Sequence, residues 1–199
     1  MADVTAAMVK ELRDRTSLGM MECKRALVEA QGDVDGAIEV LRKKGAIKSA
    51  RRAGREAAEG CVQSYIHSNG TVGVMIEVRC ETDFVARNEE FQDFVRDVCM
   101  HIAWANPVAV DRDSIPDEVI EREKSIYAEQ TKDKPEHVVE QILQGKLRDF
   151  FERVCLLDQE FVKDGDKSVG DLVTEQAHKF GENIYIQRFV RYEVGEGGD

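Results

Sequence analysis

The sequence lacks the short motifs by which many enzymes and metal proteins are detected. It contains no GxGxxG, GxxxxGK[ST] or GxSxG pattern, so neither a phosphate-binding loop nor a nucleophile elbow is indicated. Its four histidines are far apart, and none pairs with a cysteine at the spacing of a zinc site. We therefore assign no catalytic residue, no metal site and no cofactor to this chain, and we do not expect an enzyme.

Long apolar runs and a disulfide pattern are also missing. No stretch approaches the roughly 20 apolar residues that cross a bilayer, and residues 1–15 carry charges without the central apolar segment of a signal peptide. The five cysteines include no CxxC pair, and an odd count without an export signal favours reduced thiols. We expect a cytoplasmic protein that does not enter a membrane.

The charge balance argues against nucleic acid as the main partner. The formal net charge is −11, and residues 1–56 hold more basic than acidic side chains, so the acidic excess lies in the rest of the chain. That part would repel a phosphate backbone. With 42% hydrophobic and 34% charged residues, the composition is typical of a globular protein. We expect a protein partner and no direct contact with nucleic acid.

Residues 4–45 have the pattern of three short helices. Apolar residues recur at helical spacing in each of them. A cationic last turn followed by Gly45 is typical of a helix C-terminus. These features predict a three-helix domain over residues 1–45. Residues 46–59 are basic and alanine-rich without a wide apolar face, which predicts a solvated helical linker.

Residues 60–199 mix strand and helix patterns. Residues 61–67 and 71–80 read as strands on either side of an Asn-Gly pair, which is a strong hairpin signal. One face of the second run carries Val72, Val74, Ile76, Val78 and Cys80. Amphipathic helices follow, the last of them capped by Ser168, and strand character returns only near the end of the chain. We expect an α+β fold in which the hairpin and a closing strand form a small antiparallel sheet in a helix-rich domain.

The loop between the hairpin and the first long helix carries the most distinctive local sequence. Its spacing allows Thr82 or Asp83 to cap a short helix while Phe84 serves as a core anchor. The same spacing allows Phe84 to project outward as an aromatic wedge. Spacing alone does not decide between these two interpretations.

Motifs along nearly the whole chain resemble those of the elongation factor Ts family. Residues 13–27, RDRTSLGMMECKRAL, look like the family's opening signature, and residues 81–91, centred on TDFVARNEEF, look like its second. Residues 156–164 and 188–197 resemble its closing segments. Long motifs in the same order are far more specific than a single glycine pattern, so the chain is identified as a member of this family.

The resemblance has two departures. Glu160 stands where many members have a proline, which affects a local turn and no proposed site. The chain also has one hairpin and one run of helices where longer members have a duplicated core and a coiled-coil insertion. Short members of the family are dimers, so the resemblance implies a homodimer built through residues 60–199.

The resemblance implies a guanine nucleotide exchange factor for elongation factor Tu in translation elongation. The three-helix unit, similar to a ubiquitin-associated domain, would dock on the partner's nucleotide-binding domain through Arg13, Met20, Met21 and Lys24. The second motif would dislocate the partner's magnesium and release GDP through Thr82, Asp83, Phe84 and Val85. No cofactor is implied for this chain, since magnesium and guanine nucleotide belong to the partner.

Other interpretations stay open on the residues alone. An adaptor that resembles a ubiquitin-associated domain and binds a protein partner without exchange activity would explain residues 4–45 but not the TDFV segment. A thiol enzyme using Cys61 or Cys80 has less support, because both cysteines lie in strand patterns and neither has an evident base partner. Met20 and Met21 could belong to the interface, the core or both.

Overall fold

The order of helices and strands places the fold in the α+β class, as the sequence predicts. The computed structural model describes residues 4–16, 19–131 and 135–196. Within these ranges the elements are α1 (Ala6–Thr16), α2 (Met20–Glu29), α3 (Val34–Ala53), β1 (Glu59–Ile66), β2 (Val72–Cys80), α4 (Asp83–Ala86), α5 (Glu89–Ala105), α6 (Asp117–Gln130), α7 (Glu136–Val154), β3 (Glu160–Phe161), β4 (Asp164–Ser168), α8 (Val169–Phe180) and β5 (Tyr185–Glu193). The fold class is therefore confirmed.

The first three helices enclose a small apolar core of their own. Its buried members are Val9, Leu12, Cys23, Ala26, Leu27, Ala37 and Leu41. The Asp33 carboxylate begins α3 by accepting hydrogen bonds from the backbone N–H groups of Asp35 and Gly36. The three predicted helices are present, while the division of the chain into residues 1–45, 46–59 and 60–199 stays a prediction.

The predicted end of the third helix at Gly45 is wrong. The helix α3 continues to Ala53 and ends at Gly54, because an alanine-rich, basic segment has good helix propensity and residue 45 does not break it. The expected solvation also fails at Arg52, which is buried and donates a hydrogen bond to the backbone carbonyl of Ala177 on α8. The end of α3 is thus attached to the second part of the chain.

The main sheet is antiparallel with the strand order β1-β2-β5. The predicted alternation along β2 is confirmed, since Val74, Ile76, Val78 and Cys80 all point inward and are buried. The amphipathic helix α5 covers this inner face with Phe91, Phe94, Val95, Val98, Cys99 and Ile102. The predicted hairpin and closing strand therefore form one sheet, and the largest core lies between that sheet and α5.

Two smaller elements complete the second part of the chain. Ser168 begins α8 as the sequence predicts, and Asp171 completes a capping box with it, which was not predicted. The hairpin of β3 and β4 was not predicted, because strands of two and five residues are too short to show alternation. This hairpin follows α7 after a short 3-10 turn, Leu156–Asp158, and lies against α5, where the rings of Phe161 and His101 are 5.9 Å apart.

A buried histidine joins α5 to the β3–β4 hairpin. His101 is fully buried, its Nε2 lies 3.0 Å from Oε1 of Gln159, and its Nδ1 accepts a hydrogen bond from the backbone N–H of Val162 at 3.2 Å. The neutral ring with its proton on Nε2 satisfies both contacts. Burial lowers the pKa of His101, although the hydrogen bond to Gln159 acts in the opposite direction.

We expect His101 to make folding stability depend on pH. Because its folded-state pKa lies below the unfolded value of about 6.5, the unfolded chain takes up the proton first as the pH falls. The neutral ring therefore makes its full contribution to the free energy of unfolding above about pH 6.5, and this contribution is lost as the pH falls below that value. Urea unfolding should show the wild-type advantage over His101→Gln shrinking toward low pH. A constant difference across this range would contradict the assignment.

Candidate functional site

The TDFV segment forms a single helical turn, α4, between β2 and α5. Thr82 is its N-cap, since Oγ1 of Thr82 accepts a hydrogen bond from the backbone N–H of Val85 at 3.4 Å. Val85 and Ala86 are buried beneath the turn, whereas the side chain of Phe84 is 84% exposed. The exposure excludes the interpretation of Phe84 as a core anchor and leaves it projecting outward.

The acidic residue of the turn is also accessible. The Asp83 side chain is 44% exposed and its carboxylate lies 3.4 Å from the guanidinium of Arg87, one turn further along. An exposed ion pair of this kind contributes little to stability. Asp83 and Phe84 therefore present a carboxylate and an aromatic ring to solvent from adjacent positions.

A carboxylate from a distant part of the sequence holds the start of this turn. Glu182 lies in the loop between α8 and β5. Its Oε2 accepts hydrogen bonds from the backbone N–H groups of Glu81 at 3.0 Å and Thr82 at 3.1 Å, and its Oε1 accepts from the Thr82 hydroxyl at 2.6 Å. Three donors thus converge on one side chain.

Glu81 makes the reciprocal connection to the same loop. Its Oε1 accepts a hydrogen bond from the backbone N–H of Asn183 at 2.6 Å and lies 3.4 Å from the guanidinium of Arg55. The Asn183 amide in turn donates to the backbone carbonyl of Arg55 at 3.0 Å. Segments around residues 55, 81 and 182 therefore meet at one place.

No pattern in the sequence indicated Glu182, Asn183 and Arg55 as supports of the site. Their contacts span about a hundred residues or more of sequence, and no periodicity or spacing relates them. The one local signal is a polar pair immediately after Gly181, which adopts a left-handed backbone at the end of α8. Asn183 is buried, and buried polar groups need hydrogen-bond partners.

The thiol interpretation loses support from the surroundings of both cysteines. Burial, together with the nearby Glu182 carboxylate, raises the pKa of the Cys80 thiol to about 11. Burial also raises the pKa of Cys61. Both groups are protonated thiols at neutral pH, which are poor nucleophiles. Among the described residues no group of three or more His, Cys, Asp or Glu side chains could hold a metal ion.

A second candidate surface lies on α2. Met20 is 58% exposed and Met21 is 67% exposed, so neither is a core residue. Lys24 is exposed on the same helix and Arg13 is exposed on α1. Cys23, Ala26 and Leu27 are the members of α2 that fill the three-helix core.

This surface includes one apolar residue that the sequence did not indicate. Val28 is 59% exposed and lies on the same side of α2 as Met20 and Lys24, since positions four apart share a helix face. Exposed methionines and a valine beside cations are a pattern typical of a protein interface.

Comparison with known proteins agrees with the motifs in the sequence. A family model described as elongation factor TS matches residues 3–196. The chain belongs to the elongation factor Ts family.

The relatives are similar in length as well as in sequence. An elongation factor Ts of Thermosipho melanesiensis is 55% identical over 195 residues, which cover 97% of this chain and all of that protein. Those of Alkaliphilus oremlandii and Thermodesulfovibrio yellowstonii are each 54% identical, over 98% of this chain and over 91% and 98% of their own lengths. This elongation factor Ts family member therefore has a role in translation elongation.

The part of the chain that the structure describes contains no helix that is both long and apolar enough to cross a membrane. Its two candidate surfaces face solvent, and each combines apolar and charged side chains.

The exposure of Phe84 predicts that its truncation leaves folding nearly unchanged. We expect Phe84→Ala to alter the free energy of unfolding by less than about 0.5 kcal/mol, because few contacts are lost. The matched control Phe91→Ala removes a fully buried ring of the same type and should cost about 3 to 5 kcal/mol. Urea denaturation measures both. A loss of several kcal/mol for Phe84→Ala would mean that the ring is packed in solution.

Proposed function

We propose that this chain is a guanine nucleotide exchange factor for elongation factor Tu and that it performs no bond-making chemistry of its own. One observation carries the proposal: the aromatic ring of the family-like TDFV segment is 84% exposed on a turn whose neighbours Val85 and Ala86 are buried. An exposed aromatic residue on a fixed support is suited to entering a pocket of a partner.

In this proposal the turn formed by Thr82, Asp83, Phe84 and Val85 acts on the partner near its magnesium and phosphate sites. Asp83 and Phe84 reach the partner directly, whereas Thr82 caps the turn and the buried Val85 supports it from below. Phe84 acts as the wedge, and Asp83 holds neighbouring backbone and side chains of the partner in the displaced position. Magnesium tolerates little distortion, since it requires near-octahedral ligands at about 2.1 Å. Displacing the groups around the ion weakens GDP binding, and no covalent bond is broken.

Nucleotide exchange follows from the thermodynamic linkage between the binding of GDP and the binding of this chain to elongation factor Tu. If this chain lowers the affinity of elongation factor Tu for GDP by some factor, GDP lowers the affinity of elongation factor Tu for this chain by the same factor. The reaction therefore passes through a ternary complex, from which GDP leaves. GTP then binds and displaces the exchange factor. Both proteins would act in the cytoplasm, and this chain would not contact nucleic acid.

The surface on α1 and α2 is proposed to dock on the nucleotide-binding domain of elongation factor Tu. Its residues are Arg13, Met20, Met21 and Lys24. Methionine side chains are flexible and polarizable, so they adapt to an apolar groove, while the cations favour an acidic rim. Binding energy from docking through α1 and α2 would then be available to distort the partner's nucleotide site at Phe84.

We also propose a homodimer, supported by the outer face of the sheet. The side opposite α5 exposes large apolar side chains, namely Val62, Ile66, Met75, Val190 and Tyr192. In addition, β1 and β5 are edge strands of the sheet. An exposed face with several large apolar side chains and open edges is a liability in a monomer and is suited to a symmetric contact with a second copy.

Truncation of Phe84 should separate docking from exchange. We expect Phe84→Ala to slow the stimulated release of GDP by roughly 30-fold or more, since an interface hot spot contributes about 2 to 4 kcal/mol. Met21→Ala should instead raise the concentration that gives half of the maximal rate. Stopped-flow release of labelled GDP from elongation factor Tu measures both effects.

Three results would contradict parts of this proposal. Full exchange activity in folded Phe84→Ala would remove the role of the wedge. An unchanged half-saturating concentration in Met21→Ala would remove that residue from the docking surface. Tight binding by the wild-type chain without any stimulated release would instead favour the alternative of an adaptor without exchange activity.

The dimer is tested by mass in solution. We expect light scattering to give about twice the mass of one chain at micromolar concentration. Met75→Glu places a charge in the outer face of the sheet and should shift the mass toward that of a monomer. Val108→Glu is the matched control, because Val108 is 79% exposed and lies outside the sheet. A wild-type monomer, or equal effects of the two variants, would argue against this interface.

A further inference from the structure

The turn that carries Phe84 is too short to hold its own shape. The helix α4 has four residues, which is far below the length at which a helix is stable in isolation. Its N-cap contact, from the backbone N–H of Val85 to Oγ1 of Thr82, is 3.4 Å long. The conformation of the turn therefore depends on groups outside it.

Glu182 controls the orientation of the Thr82 hydroxyl. The hydroxyl donates its proton to Oε1 of Glu182 at 2.6 Å, so its lone pairs are left to face the backbone N–H of Val85. Without the carboxylate, the hydroxyl could rotate and donate elsewhere. The two hydrogen bonds form a chain from Glu182 through Thr82 to Val85, and each bond in such a chain polarises the next. Val85 is the immediate neighbour of Phe84.

The same carboxylate fixes the backbone that leads into the turn. Its Oε2 accepts from two successive N–H groups, those of Glu81 and Thr82. On the opposite side the Cys80 thiol donates to the backbone carbonyl of Thr82 at 3.2 Å. Hydrogen bonds to a charged acceptor are about twice as strong as neutral ones. Glu182 therefore supplies three charge-assisted hydrogen bonds that join the start of this turn to the loop before β5.

A wedge must be rigid in order to act. If the turn could move, the pressure of a partner on Phe84 would be relieved by rotation of the turn, and the partner would not be distorted. Fixing the turn before binding also removes the entropy cost of ordering it in the complex. The contacts of Glu182 are suited to that task because they join the turn to the start of β5, a strand of the main sheet.

We infer that Glu182 is a positioning residue for nucleotide exchange, which acts on the partner only through the orientation of Phe84. This inference rests on the proposed function. Loss of the Glu182 carboxylate should therefore lower the maximal rate of GDP release. Docking through α1 and α2, measured by the half-saturating concentration, should be unaffected. A purely structural role would instead lower the amount of folded protein without separating these two quantities.

Glu182→Gln is the discriminating variant, because it keeps the size of the side chain. One of its two terminal atoms becomes an NH₂ group, which cannot accept the proton of the Thr82 hydroxyl or a backbone N–H. We expect the maximal rate of GDP release to fall about tenfold, the effect of one lost charge-assisted hydrogen bond. The half-saturating concentration should stay within about twofold of wild type. Glu182→Ala should have a larger effect of the same kind.

Glu175→Gln is the matched control. It neutralises an acidic residue of α8 that pairs with Lys167 of β4 at 2.8 Å. Its maximal rate and half-saturating concentration should both equal those of wild type. Amide hydrogen exchange gives an independent readout, since Glu182→Gln should reduce the protection of the Glu81, Thr82 and Val85 amides. Glu175→Gln should leave that protection unchanged.

A double-mutant cycle with Phe84→Ala decides whether Glu182 acts through the ring. If it does, Glu182→Gln should change the rate by less than about twofold once Phe84 is absent. An equal loss in both backgrounds would overturn the inference, as would a wild-type rate in Glu182→Gln. If Glu182→Ala fails to fold, the glutamine variant still gives the answer.

Failure of this inference is distinguishable from failure of the proposed function. A wild-type chain that does not stimulate GDP release would overturn both. An active wild type with an impaired Phe84→Ala and an unimpaired Glu182→Gln would overturn only the role of Glu182.

Discussion

The packing of α5 against the inner face of the sheet is the constraint on which the second part of the chain depends. Phe91, Val98 and Ile102 fill the space above Ile76 and Val78, and all five are almost completely buried. Since β2 leads into α5 through a short connection, the residues between them must turn sharply at the edge of this core. That connection is α4, and its position follows from the packing on either side of it.

The same packing explains why Phe84 is exposed whereas Phe91 and Phe94 of α5 are buried. Val85 and Ala86 complete the core beneath the turn, and successive residues of a single helical turn cannot all point in one direction. The closing strand β5 then brings Glu182 and Asn183 to the start of the turn. The Glu182 carboxylate accepts a hydrogen bond from the backbone N–H of Glu81, and the Glu81 carboxylate accepts one from the backbone N–H of Asn183. These two hydrogen bonds fix the start of α4 to the loop before β5.

The two candidate surfaces are built in different ways. Phe84 stands on a turn held by hydrogen bonds, whereas Met20, Met21 and Val28 lie on a helix whose opposite side fills a core. A rigid aromatic residue is suited to displacing groups of a partner, and flexible methionines are suited to adapting to it. Membership of the elongation factor Ts family places both surfaces in a protein of translation elongation.

The sequence by itself determined the features that depend on local interactions. The three N-terminal helices, the hairpin, the alternation of β2 and the cap at Ser168 were all predictable, because capping, turns and periodicity act over a few residues. The family motifs also pointed to Phe84. Only the tertiary structure decided that Phe84 and Met20 are exposed, that α3 extends to Ala53 and that Glu182 holds Thr82. Burial depends on which faces other segments cover, and a hydrogen bond across a hundred residues leaves no periodic trace in the chain.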